Sequence, residues 1–279
     1  MKDKFYKLGI IGNPLAHSVS PAIQAEALSS VKLNGSYEKF EIQKEDIPKL
    51  LDYFKNNDFT GFNVTIPYKT EIIKYLDEID ETAEKIGAVN TVKISGNKLI
   101  GYNTDIYGFY SSVNNALFVN AALLGCGGAA LAVVFALEKM GCKKLTIYAR
   151  NLDKANEFIQ SIQKKVSMHF EARLLENISD LSDVDILINA TPLGTKGENQ
   201  RKTPVKKEIF GTSKKSMIVY DLVYNPSETL FIKNAKEYGL YAINGLDMLI
   251  LQGAKAFEIW TGEIPDIRTM KAIALKNIG

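Results

Sequence analysis

Apolar and polar positions along the chain switch repeatedly between a period of two and a period near 3.6, and each switch marks an element boundary. The first half predicts a strand near Tyr6–Ile11, then a helix opened by Ser20-Pro21 and running to about Val31. A strand around Tyr37–Ile42, a helix from about Glu45 to Asn56 and a strand at Phe62, Val64 and Ile66 follow. Pro67 stops that strand, and the spacing of Ile72, Ile73, Tyr75 and Leu76 predicts a helix with Lys69 in its first turn. A first-turn cation faces the positive end of the helix dipole, a mildly unfavourable site. Ala88–Gly101 reads as a hairpin around Ser95-Gly96-Asn97-Lys98, and helical spacing resumes over Ile106–Leu117.

From Asn120 onward the rhythm is that of a doubly wound sheet. Strands are predicted at Ala121–Leu124, Lys144–Ala149, Asp185–Ala190 and Met217–Leu222, with helices between most of them. The last stretch is helical, with Leu246, Leu249, Ile250, Gly253, Ala254, Phe257 and Trp260 on one face. Periodicity leaves open whether this helix pair packs on the doubly wound domain or returns to the first domain.

Ala121–Leu137 is 17 consecutive apolar or glycine residues. A membrane span needs roughly 20, and the glycines near its front favour a buried strand, a tight turn and a buried helix. A length of 279 residues allows one large domain or two ordinary ones. A formal charge of +2 argues against a nucleic-acid binder. Two cysteines without C-x-x-C spacing and two histidines argue against a disulfide framework and a metal site. The opening MKDKFYKLGII lacks the apolar region of a signal peptide, so a cytoplasmic location is expected and no membrane partner.

Chemistry enters at Gly125, Gly127 and Ala130, a G-x-G-x-x-A pattern between a predicted strand and a predicted helix. In that context it is a dinucleotide fingerprint: the glycines allow a tight turn and let a pyrophosphate approach the helix N-terminus. The competing reading is a glycine-rich turn without a ligand. An NAD site wants an acid at the end of the next strand. Here that strand ends in Arg150-Asn151, with Lys154 one turn later. A guanidinium forks onto a phosphate and a second cation adds charge, so NADP is the expected cofactor.

The polar residues of the first half admit ordinary readings one at a time. Ser20 could cap a helix before Pro21, Asp105 could cap the helix after it, Asn90 could bond hairpin backbone, and Lys69 could be a solvated lysine. Together, IGNPLAHSVSP, FNVTIPYK, IGAVNT, GYNTD, GCGGAA, ARNLDK, NATPLG, DLVYNP and NGLDMLILQGAKAFEIWTG, in this order and spacing, resemble shikimate dehydrogenase across essentially the whole chain.

That resemblance implies two α/β domains with the active site in a cleft between them. It implies a substrate domain over residues 1–104 and 245–279, completed by the C-terminal helices, and an inserted Rossmann-type NADP domain over 105–244. The implied activity is that of an oxidoreductase: reversible NADPH-dependent reduction of 3-dehydroshikimate to shikimate, in aromatic amino-acid biosynthesis. By resemblance Lys69 and Asp105 are catalytic. Ser18 and Ser20, helped by Tyr224, hold the substrate carboxylate, while Thr65, Asn90 and Gln252 surround the ring hydroxyls. Cofactor contacts fall on Gly125, Cys126, Gly127, Gly128 and Ala129, on Arg150, Asn151 and Lys154, and on Thr191, Leu222, Gly245 and Met248, with Glu81 nearby. Cys126 stands where the loop commonly has alanine, and Asp247 where glycine is frequent. The two serines favour shikimate over quinate. The rivals are an enzyme preferring quinate or NAD and a catalytically idle NADP-binding regulator; a homodimer is left open.

Overall fold

The computed structural model describes residues 4–114 and 116–278. The chain divides into two compact units, one formed up to Gly108 together with Leu249–Asn277, the other by Phe109–Met248.

The first unit holds β1 (Phe5–Gly12), α1 (Ser20–Ser30), β2 (Asn34–Glu41), α2 (Ile47–Asn56), β3 (Phe59–Val64), β4 (Glu78–Ile79), α3 (Glu81–Ile86), β5 (Thr91–Ser95), β6 (Lys98–Tyr102) and the start of α4 (Asp105–Ser112). Its sheet runs β2-β1-β3-β5-β6-β4. Three strands are parallel at one side, and β5 and β6 form the predicted antiparallel hairpin, closed by Gly96 at φ +58°. Every residue of β3 is buried, because it lies centrally between β1 and β5. Ile47, Leu51 and Phe54 of α2 pack with Phe59, Phe62 and Ile72 on one core. Phe54 stacks 4.5 Å from Phe59 and 4.9 Å from Phe62 by ring centroids.

The stretch after Pro67 departs from expectation. The helix there is a five-residue 3-10 turn, Glu71–Tyr75, with Thr70 at its N-cap. Lys69 therefore precedes the helix, and the dipole argument against a cation does not apply to it. Ser20 and Asp105 are likewise not caps: each is the first helical residue, and α1 has Val19 at its N-cap with no side-chain bond.

The second unit holds β7 (Asn120–Leu124), α5 (Gly128–Lys139), β8 (Lys144–Ala149), α6 (Leu152–Ile162), β9 (His169–Leu174), β10 (Ile186–Asn189), β11 (Ile218–Asp221), α7 (Leu230–Glu237) and β12 (Tyr241–Asn244). All its strand pairs are parallel, in the order β12-β11-β10-β7-β8-β9. That is the doubly wound dinucleotide-binding order, with its switch point between β7 and β10. β9 and β12 escape a pattern search because edge strands keep polar, half-exposed faces. The long apolar run becomes β7, the glycine turn and α5, which buries Ala132 to Leu137 without interruption. Among the described residues no helix is long and apolar enough to cross a membrane.

α8 (Leu246–Thr261) and α9 (Ile267–Asn277) follow, and their bulk returns to the first unit. Trp260 donates its indole N–H to the Val92 carbonyl at 2.9 Å and lies against Gly61, where a side chain would collide with it. The units divide one helical turn past residues 104 and 244. Asp105 ties the first turn of α4 to Lys69 and Asn90, and Leu246 at the start of α8 bonds the Asn244 side chain at 3.1 Å.

Candidate active site

In the first unit the ends of β3, β5 and β6 converge with α4 and α8. Lys69 donates from Nζ to Asp105 Oδ2 at 2.6 Å, both side chains partly solvated. The other oxygen, Asp105 Oδ1, accepts from Asn90 Nδ2 at 2.9 Å. Asn90 is 2% exposed, so its amide must be satisfied inside the protein. Its Oδ1 accepts from the Thr104 N–H at 2.8 Å and from the Thr91 hydroxyl at 3.0 Å. Its two amide hydrogens face three acceptors: Asp105 at 2.9 Å, Thr104 Oγ1 at 3.0 Å and Gln252 Oε1 at 3.4 Å. Two hydrogens cannot serve three oxygens well. Gln252 Oε1 is left with the weakest bond. Its Nε2 donates to the Leu249 carbonyl at 2.8 Å, which leaves its second amide hydrogen for a ligand.

Ser18 and Ser20 lie at the C-terminal end of β1. Ser18 Oγ accepts from the Ser20 N–H at 3.4 Å. Burial pushes the Tyr37 phenol well above its ordinary range, while a hydrogen bond with Ser20 pulls the other way. Tyr37 donates to Asn63 Oδ1 at 2.7 Å, and Asn63 donates to the Asn90 carbonyl and Thr91 Oγ1, both at 3.1 Å. Buried hydrogen bonds thus run from Tyr37 through Asn63, Thr91 and Asn90 to Asp105. Thr65 follows β3 and packs its methyl against Gly12 so closely that a side chain there would displace it.

In the second unit a cavity of about 630 Å³ opens at the carboxyl ends of β7, β8 and β10. Gly125, Cys126 and Gly127 line it with Arg150, Asn151, Lys154 and Thr191. Gly125 has φ +98°, and a Cβ there would stand 2.9 Å from the Thr191 methyl. Gly127 and Gly128 face open space, and since Gly127 lines the cavity, a Cβ there would enter the cradle rather than strike protein. α5 starts here with no side-chain cap and no acidic residue in its first turn. Its free N–H groups and dipole suit an anion. The donor set fits a pyrophosphate at the loop and a further phosphate at Arg150 and Lys154. Asn151 also has a local task, since its Oδ1 caps α6 by accepting from the Lys154 N–H at 3.0 Å.

Similarity to known proteins follows this division of the chain. Residues 10–92 match the shikimate dehydrogenase substrate binding domain, residues 111–246 the shikimate / quinate 5-dehydrogenase family, and residues 245–275 the shikimate 5'-dehydrogenase C-terminal domain. The chain belongs to the shikimate dehydrogenase family. It is 43% identical over 275 residues to the shikimate dehydrogenase (NADP(+)) of Methanococcus aeolicus, with 97% of each chain covered. A shikimate dehydrogenase solved in complex with NADP+ superposes with a TM-score of 0.90 at 41% identity, over 99% of this chain and 96% of that one. A shikimate 5-dehydrogenase of Thermus thermophilus, in complex with NADP(H) and shikimate, gives 0.85 at 34% identity over 98% and 99%.

Other residues singled out on the family resemblance take up distinct positions. Leu222 and Tyr224 follow β11 on a turn held by Asp221, which is fully buried. Asp221 accepts from Asn189 Nδ2 at 2.9 Å, the Val223 N–H at 3.0 Å and the Thr229 hydroxyl at 2.6 Å. Burial pushes its carboxyl up to about 6, against the pull of these hydrogen bonds. Burial likewise raises the Tyr224 phenol. Gly245 packs against the Leu222 backbone, where any side chain would overlap it, and Met248 lies in the first turn of α8. Glu81 opens α3 in the first unit, exposed, where an acid favours the helix dipole.

Shikimate dehydrogenase motifs also contain residues the sequence reading passed over. Thr104, in GYNTD, completes the Asn90 cage, and Asn63, in FNVTIPYK, carries the network under it. Asn63 carried a signal, a polar residue at a buried strand position, whereas Thr104 lies between β6 and α4 and carried none. Lys202 and Asn199 line the cavity from the loop after β10, a placement no local pattern announces.

Proposed function

We propose that this chain is an NADP-dependent shikimate dehydrogenase in which Lys69 moves the proton of the reaction. The enzyme catalyses the reversible reduction of 3-dehydroshikimate to shikimate, a step of aromatic amino-acid biosynthesis. The observation that carries the catalytic assignment is the Lys69–Asp105 contact of 2.6 Å, with Asp105 pinned from behind by Asn90.

Bound NADPH supplies the hydride. The protein must neutralise the negative charge that then grows on the carbonyl oxygen. Lys69 carries three N–H donors and commits one to Asp105, leaving others for that oxygen. It gives up a proton as the alcohol forms and takes it back in the reverse direction. Asp105 orients the ammonium through Oδ2 while Asn90 holds its Oδ1, and Lys69 is the group placed to give and take the proton. The Ser18 and Ser20 hydroxyls hold the substrate carboxylate without placing a second fixed cation near Lys69. Thr65, Asn90 and Gln252 meet the ring hydroxyls. The glycine loop with Arg150 and Lys154 holds the cofactor.

Steady-state assays with shikimate or quinate and NADP or NAD test the substrate and cofactor; a higher kcat/KM with quinate or NAD overturns the choice. Lys69→Ala is expected to lower kcat by about 10²- to 10⁴-fold, the usual worth of a positioned acid–base group, with NADP binding retained. Turnover unchanged in that variant would remove Lys69 from catalysis.

A further inference from the structure

The cavity of the second unit is lined by three cations, Arg150, Lys154 and Lys202, and by no carboxylate. Arg150 and Lys154 stand at the end of β8 and the start of α6. Lys202 comes from a separate segment, the loop after β10. That loop is pinned by its own backbone: the Gly194 N–H bonds the Asn199 carbonyl at 2.9 Å, the Lys202 N–H bonds the same carbonyl at 3.0 Å, and the Lys196 N–H bonds the Asn225 carbonyl at 2.9 Å. Lys202 is therefore carried to the cavity by a fixed turn. Its Nζ rests on a neutral acceptor, Asn199 Oδ1, at 3.1 Å.

Several lysines elsewhere in the same unit pair with carboxylates. Lys207 pairs with Glu237, Lys214 with Asp185 and Lys236 with Glu228. Among the described residues, Arg150, Lys154 and Lys202 have no carboxylate partner. Like charges gathered without a counterion repel one another, and a bound anion relieves that repulsion. A pyrophosphate is served by the glycine loop and the α5 N-terminus. The anion left for these three cations is the extra phosphate that distinguishes NADP from NAD.

We propose that Lys202 is a specificity residue for the phosphorylated cofactor, acting with Arg150 and Lys154 on the adenosine 2′-phosphate. The assignment rests on the NADP-dependent reading above and extends it to a loop outside the β8–α6 turn. Only a charge-bearing chain reaching the cavity is required of position 202, so arginine should substitute there and glutamine should not.

The test is calorimetric titration of the whole protein, without turnover, using NADP+, NAD+, adenosine 2′,5′-bisphosphate and ADP. Lys202→Gln should weaken NADP+ and the 2′,5′-bisphosphate about tenfold, the worth of one charge-assisted hydrogen bond. NAD+ and ADP should bind as to wild type, which also shows that the variant is folded. Lys202→Arg should restore NADP+ affinity. Equal losses for NADP+ and NAD+, or no loss for either, overturn the proposal while Arg150→Gln selectively loses NADP+. If Arg150→Gln also leaves NADP+ binding unchanged, the NADP site itself has been misassigned.

Discussion

Asp105 shows how one residue's partners decide its chemistry. Its two oxygens face donors on both sides, Lys69 and Asn90, so an amide at this position sets a donor against a donor whichever way it turns. Asp105→Asn is expected to lower kcat/KM by about 10²-fold and to alter the pH–rate profile. An unchanged profile would show that Asp105 does not act on the proton carried by Lys69. Asp221 makes a thermodynamic case. Its folded-state carboxyl is pushed up to about 6, from an ordinary value of 3.8. Between those values the folded protein holds a proton that the unfolded chain has lost, so this group's contribution to stability falls as pH rises. The stability of wild type relative to Asp221→Asn should therefore fall by about 2 kcal/mol from pH 4 to pH 7, read from denaturant titrations; a constant or rising difference would contradict the assignment. At this scale the sequence showed which residue types stood together but not their partners. Ser20 looked like a cap because caps are serines; only the backbone reveals that it is already helical.

The glycine turn between β7 and α5 separates two roles that a motif merges. Gly125 is required by the chain: φ +98° and the Thr191 methyl at 2.9 Å both oppose a side chain. Gly127 is at φ −87° and ψ −174°, ordinary extended backbone, and faces open space. Gly125→Ala should cost about 1–3 kcal/mol of stability, read by thermal or denaturant unfolding. Gly127→Ala should leave the unfolding midpoint nearly unchanged while weakening NADP binding, because its methyl enters the cradle. If both variants lose stability equally, the distinction fails. Elements with strong patterns were legible: β8 is a short, almost wholly buried run, α2 buries one clear face, and the β5–β6 hairpin turns on a glycine. β9, β12 and the two-residue β4 were not. They owe their existence to backbone bonds from neighbouring strands, so their own sequence need carry little signal. The helix expected at Lys69 became a short 3-10 turn for a related reason. The Lys69 carbonyl accepts from the Val89 N–H at 2.8 Å, so that backbone oxygen is engaged in tertiary contact.

For the whole molecule, two compact units with separate cores and separate ligand groups predict separable responses to ligands. NADP+ at about 100 times its Kd should stabilise the unit that binds it by about 2.7 kcal/mol. Hydrogen exchange should slow first at the α5 N-terminus and at the Arg150 and Thr191 turns. Shikimate should protect the segments around Lys69, Asn90 and Asp105. Protection by NADP+ confined to the first unit would overturn the placement of the cofactor. The sequence by itself determined the class: alternating strands and helices, a nucleotide fingerprint with a basic strand end, and motifs whose order identified the family. These are local or ordered along the chain, so they survive without coordinates. The tertiary structure decided which polar residues meet. Asn90, Thr104, Asp105 and Gln252 lie as far apart in sequence as 162 positions, yet they share hydrogen bonds. It also brought Lys202 to the rim of the glycine-loop cavity. Such meetings depend on strand order and on how the chain returns upon itself, and no local pattern of residues encodes either.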